Sequence, residues 1–199
     1  MPADSPPINL THHFLIAMPG LQDESFSRSV VYLCEHSPNG ALGLIINKPS
    51  DINLKRLFEK VDLPLRRADL SEAVVFQGGP VQTERGFVLH EPLASAQDGP
   101  VEAPYASTMV IPGGLEMTTS KDVLEALSTG AGPRRVLVSL GYSAWAEGQL
   151  ESEIGENAWL TVAADPSLIF ETPVEQRYEK ALGLLGLQAW MLSPDVGHG

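Results

Sequence analysis

The chain is expected to fold as one α+β domain, a largely antiparallel, barrel-like β-sheet flanked by helices. Strand-like apolar runs and helix-like periodic runs are mixed along it without the strict alternation that a parallel sheet needs. Several joins between strand-like runs are short and carry turn residues, as at Asn39-Gly40, which favours antiparallel neighbours. With 199 residues, 43% of them apolar and 19% charged, the chain is long enough to bury a core without disulfides or metals. Residues 1–9 are read as a disordered tail and 10–199 as the domain.

Phe14 to Met18 is a continuous apolar run that stops at Pro19-Gly20, the pattern of a buried strand meeting a turn. Val30 to Cys34 is β-branched and aromatic; as a strand it puts Val30, Tyr32 and Cys34 on one face and Val31 and Leu33 on the other. Leu42 to Ile46 resumes the pattern after Asn39-Gly40, and the two runs form a hairpin. Leu54, Leu57, Phe58 and Val61 fall at helical spacing, with Asp51 or Asn53 as cap. Ala73–Phe76 and Gly86–His90 are short strands, the first ending in Gln77-Gly78-Gly79-Pro80, and Glu91–Pro104 is a loop. Thr119 to Asp122 fits a capping box ahead of Val123, Leu124 and Leu127, and Gly130 ends that helix. A strand over Arg135–Leu140, a short helix over Ala146–Ile154 and a strand over Ala158–Ala163 follow. The last helix is capped by Thr172, takes Pro173 in its first turn, and is stopped by Gly186.

The formal net charge is −12, and residues 141–199 hold 9 acids against 2 bases. Nucleic-acid affinity comes mainly from Lys and Arg neutralising phosphates, so this balance makes direct DNA or RNA binding an unfavourable reading. The cluster Lys55, Arg56, Lys60, Arg66 and Arg67 is diluted by Glu59, Asp62 and Asp69 and reads as a solvated helix face. A lone cysteine, a start without a basic and then apolar pattern, and no membrane-length apolar run lead to the expectation of a cytoplasmic protein, not one held at a membrane.

The strings HHFLIAMPGL (12–21), VVYLCEH (30–36), INKP (46–49), GGPV (78–81), RGFVLH (85–90), MTTSKDVLEAL (117–127), GYSAWAEGQLESEI (141–154) and NAWL (157–160), in this order and spacing, resemble the AlgH/YqgE family of bacterial cytoplasmic proteins. The resemblance runs from about residue 9 to the C-terminus, with small departures at Glu24, Ser143 and Gly197-His198-Gly199. It implies an α+β domain around a curved, barrel-like sheet and no established enzymatic activity. It also brings a transcriptional-regulator label that came from a genetic effect on gene expression, not from a recognised DNA-binding element.

Several groups are candidates for chemistry. Cys34 and His36 are two apart and would share a strand face, where an imidazolium could make the thiol reactive or redox-sensitive. The same pair fits a buried cysteine beside a turn-capping histidine. A metal is not expected, since zinc needs three or four ligands and there is no second cysteine; no cofactor is expected either. Gly78-Gly79 sits in a tight turn, near Arg85 and His90 in sequence, and these four could form a polar cluster. Thr119 lies in a hydroxyl-rich helix start suited to capping or to an anion. Tyr142, Trp145 and Gln149, with Asn157 and Trp159, make an aromatic and amide-rich group, an anchor for a partner if exposed and core if buried. Ser139 lacks the preceding glycine of a nucleophile elbow, and no complete catalytic set emerges. The leading expectation is a non-enzymatic protein that binds an unknown protein partner or small ligand and affects gene expression indirectly. The alternatives are a thiol-dependent enzyme or redox sensor using Cys34 and His36, and a direct DNA-binding regulator. Oligomeric state is not legible.

Overall fold

The apolar run after the paired histidines forms the first strand, β1 (His13–Ala17), whose last four residues are buried. It pairs antiparallel with β2 (Val30–Ser37), and β2 with β3 (Gly40–Ile45), so the expected hairpin turns at Asn39-Gly40. The computed structural model describes residues 9–19, 26–92 and 105–192. The expected tail before residue 9, the turn beyond Pro19, the loop beyond Pro92, and the departures at Glu24 and 197–199 lie outside them.

Strands β4 (Pro49–Asn53), β5 (Val74–Gln77), β6 (Val81–His90), β7 (Thr108–Ile111), β8 (Leu115–Thr118), β9 (Val136–Trp145) and β10 (Trp159–Ala163) complete a curled half-barrel. Its order is β10-β1-β2-β3-β9-β6-β8-β7, with β4 and β5 branching off β9. Every pairing is antiparallel except β5 with β9. The helices are α1 (Leu54–Lys60), α2 (Asp122–Ser128), α3 (Gln149–Gly155), α4 (Pro166–Phe170) and α5 (Arg177–Gly183).

Strand alternation divides the core. One face of β1, β2, β3, β6, β8 and β9 buries Phe14, Tyr32, Leu44, Phe87 and Met117 against Leu168 and Ile169 of α4 and Tyr178 and Leu182 of α5. Tyr178 pins α5 by donating its hydroxyl to the Ala17 carbonyl at 2.6 Å. On the other face, Leu15, Val31, Leu33, Trp145 and Trp159 pack with Leu150 of α3, while Val75, Val88 and Val138 pack with α1 and α2.

The sheet branches at a corner built from glycines. Past Leu140, β9 leaves β5 and continues beside β3, pairing Gly43 with Ser143 and Ala41 with Trp145. Gly141 makes the change of partner with φ +77°, a conformation that favours glycine. Gly78 bridges the gap: its N–H donates to the Leu140 carbonyl at 2.9 Å, and its carbonyl accepts from the Ile45 N–H at 2.9 Å and the Ser143 hydroxyl at 3.0 Å. The expected strand over Arg135–Leu140 therefore runs on to Trp145.

Other differences have local causes. Asn53 caps α1 through its side chain. Thr119 does not cap α2, which begins at Asp122 with no side-chain cap bond. Thr172 does not cap the last helix either: a 3-10 turn over Val174–Gln176 intervenes, and α5 starts at Arg177. That delay lets the buried Arg177 guanidinium donate to the Thr172 carbonyl at 2.9 Å and the Ile46 carbonyl at 2.6 Å.

Candidate functional site

Near β3 and β7 the half-barrel opens as a cleft of about 410 Å³, lined by residues of β3, β6, β7, β8 and β9 and of the segments flanking β7 and β8. Its apolar surface comes from Leu42, Phe87, Ala106, Met109 and Met117, and its polar groups are Arg85, Ser107, Thr108, Thr119 and Tyr142. Three sequence-selected residues, Arg85, Thr119 and Tyr142, thus meet here from β6, the end of β8 and β9. Arg85 is carried by a bulge: β6 pairs Val81 with Tyr142 and next Gly86 with Leu140, so the intervening residues stand out from the ladder. Its guanidinium lies 5.6 Å from the Phe87 ring centre and donates to Gln82 Oε1 at 3.3 Å. Tyr142, half-buried, meets the same Phe87 ring edge-on at 5.4 Å.

The remaining candidates fall elsewhere. His90 is fully buried on the face opposite Phe87, bonded through Nε2 to the Thr118 hydroxyl at 2.7 Å and through Nδ1 to the Glu91 carbonyl. Thr118 in turn meets the Thr108 hydroxyl at 2.9 Å, so His90 braces the strands behind the cleft. Gly78 and Gly79 form the tight corner described above; a cluster of all four of Gly78, Gly79, Arg85 and His90 does not form. Trp145 does not join Tyr142 either, because the two point to opposite faces of β9. Trp145 and Trp159 are buried, both indole N–H groups donate to Glu153 Oε1, at 3.2 and 2.9 Å, and the exposed Gln149 donates to Glu153 Oε2. Phe26 packs on both rings.

Cys34 and His36 also part company. Leu33 faces Gly43 and Glu35 faces Leu42, so Cys34 is the extra residue of a β-bulge and the alternation flips after it. Cys34 is buried in the cluster with Tyr32 and Phe14, and burial pushes its thiol well above the usual range, away from the thiolate that a nucleophile needs. His36 lies on the other side against α3, accepting the Leu10 N–H at Nδ1 (2.9 Å) and meeting Glu151 through Nε2, an interaction that holds the Glu151 carboxyl below its usual range. Among the described residues, no group of three or more His, Cys, Asp or Glu is placed to hold a metal ion.

Sequence reasoning missed the apolar half of the cleft. Leu42, Phe87, Met109 and Met117 read as ordinary core in strands, and β7 and β8 are too short to show a period. The one trace was Pro112-Gly113-Gly114 between Ile111 and Leu115, a turn signal between two apolar runs.

A model of the family described as AlgH-like matches residues 14–190. A UPF0301 protein of Variovorax paradoxus is 75% identical over 198 residues, covering the whole of both chains. Another, from Delftia acidovorans, is 70% identical over the whole of both. The solution structure of the AlgH protein from Pseudomonas aeruginosa matches with a TM-score of 0.75 and 45% identity, covering 98% of this chain and 99% of that one. A crystal structure of a Corynebacterium diphtheriae protein, 20% identical, matches with a TM-score of 0.67 over 91% of this chain and 90% of that one; it shares the fold.

Proposed function

The chain belongs to the AlgH-like family, and from that premise we propose that it is a binding protein whose ligand site is the open cleft at Arg85, Thr119 and Tyr142. The convergence of those three residues on one cavity carries the reading. A cation, hydroxyls and apolar surface are the chemistry of recognition. Cys34, the nucleophile the sequence offered, is sealed in the core with its thiol pushed up.

Any effect on gene expression is then indirect, exerted through what the cleft binds. The net charge of −12 opposes direct binding to DNA. We place the protein in the cytoplasm on its single cysteine; no helix among the described residues is long and apolar enough to cross a membrane.

The test is amide NMR with pooled small-molecule fragments. Shifts are expected to gather on Leu42, Arg85, Phe87, Met109, Met117 and Tyr142, and to vanish in Tyr142→Ala. Shifts that gather on another surface, or that ignore Tyr142→Ala, would overturn the reading.

A further inference from the structure

We infer that the cleft takes a small amphipathic anion, with one singly charged head at Arg85 and an apolar body over Leu42, Phe87, Met109 and Met117. This rests on the cleft being the binding site and goes on to name what binds there. The chain has 25 acidic residues against 13 Lys and Arg, yet among the described residues the cleft lining contains one cation and no carboxylate. A local reversal of that kind stands out against the overall balance.

The cation is also available. Among the described residues Arg67 is bridged to Asp69, and Arg135 to Glu91 and Glu171, whereas Arg85 has no carboxylate partner. Its bond to Gln82 uses Nη1 alone, and the Phe87 ring lies beneath the guanidinium. A guanidinium supported on a ring presents a planar fork, which suits a carboxylate, sulfonate or phosphate oxygen pair. Among the described residues no hydrogen bond occupies the hydroxyls of Ser107, Thr119 or Tyr142, so three further donors line the same cavity. One cation matches one charge; a head with two charges would leave the second unpaired.

The apolar part of the lining decides the rest of the ligand. Two of its apolar side chains are methionines, which adapt their shape to what lies on them. A volume of about 410 Å³ lies within the range of roughly 300–1,000 Å³ usual for small-molecule sites. The net charge of −12 does not draw anions in from a distance, and salt screens charges beyond about 8 Å, so selection occurs at contact.

The probes are 8-anilinonaphthalene-1-sulfonate and N-phenyl-1-naphthylamine, which share their rings and differ by the sulfonate. Fluorescence titrations would compare wild type with Arg85→Gln, Arg56→Gln and Met109→Glu, each first shown to keep the wild-type urea midpoint. The expected result is saturable binding of the sulfonate at one site, weakened about tenfold or more by Arg85→Gln. Arg56→Gln, on α1 outside the cleft, should leave it unchanged. The uncharged dye should bind more weakly and ignore Arg85→Gln. Equal binding of both dyes, insensitive to Arg85→Gln but lost in Met109→Glu, would overturn the anionic ligand and leave the cleft as a site. Binding of either dye that ignores Met109→Glu, or no binding at all, would overturn both.

Discussion

Gly79→Ala is expected to lower stability by on the order of 4 kcal/mol or more, or to prevent folding altogether. A Cβ at Gly79 would stand 2.2 Å from both the carbonyl carbon and the oxygen of Tyr142, and 2.4 Å from the Ser143 nitrogen. All three are backbone atoms of β9, so relief cannot come from a rotamer change; it requires moving the strand. That strand is already tied at the corner through Gly78, whose own Cβ would meet Ser139 Oγ at 2.0 Å and the Gly141 carbonyl at 2.4 Å. Urea unfolding gives the measurement, with Gly86→Ala as the control. Gly86 sits in β6 with nothing within 4 Å of its Cβ, so that change should be neutral or stabilise by about 0.4–1 kcal/mol through the unfolded chain. Equal and small effects at the two glycines would contradict the corner.

Trp145→Ala is the second large effect, expected to cost about 3–5 kcal/mol. Its ring is 4% exposed and lies 6.0 Å from the ring centres of both Phe26 and Trp159. Its indole N–H shares Glu153 Oε1 with that of Trp159, so truncation opens a cavity and disturbs a half-buried polar clamp. Near-UV circular dichroism and urea unfolding would both register it. Tyr142→Ala should cost less, about 1–2 kcal/mol, because that side chain is half-buried at the cleft wall. Two aromatic residues three apart thus separate stability from binding. A stable Trp145→Ala that had lost ligand would show that the sheet face is assigned wrongly.

That pair also shows what the sequence could and could not reveal. Apolar and β-branched runs placed β1, β2, β3 and β10, and helical spacing placed α1, which buries Leu54 and Phe58. Faces were lost wherever alternation breaks. The bulge at Cys34 carries no Gly or Pro of its own; the only mark of it lies across the ladder at Gly43, whose Cβ would meet Val31 Cγ1 at 2.6 Å. Gly141 read as the end of a strand because a single left-handed residue inside a strand looks the same as a turn. Arg85, Thr119 and Tyr142 were visible one by one, beside a glycine turn, at a hydroxyl-rich helix start and in an aromatic group after a strand. Their meeting depends on long-range pairing of β6, β8 and β9, which no local window contains. The floor residues were invisible as site residues, since Leu42 or Met117 in a strand has the same pattern whether it faces a core or a cleft.

The most direct measurement is a methyl spectrum of protein labelled at its methionine methyl groups, titrated with 8-anilinonaphthalene-1-sulfonate. Met109 and Met117 line the cleft, whereas Met191 is 41% exposed and is not among the lining residues. The Met109 and Met117 methyls are expected to shift together and saturate at one equivalent while Met191 stays in place, with both shifts weakened in parallel by Arg85→Gln. Movement of Met191 with Met109 and Met117 unchanged would contradict binding in the cleft.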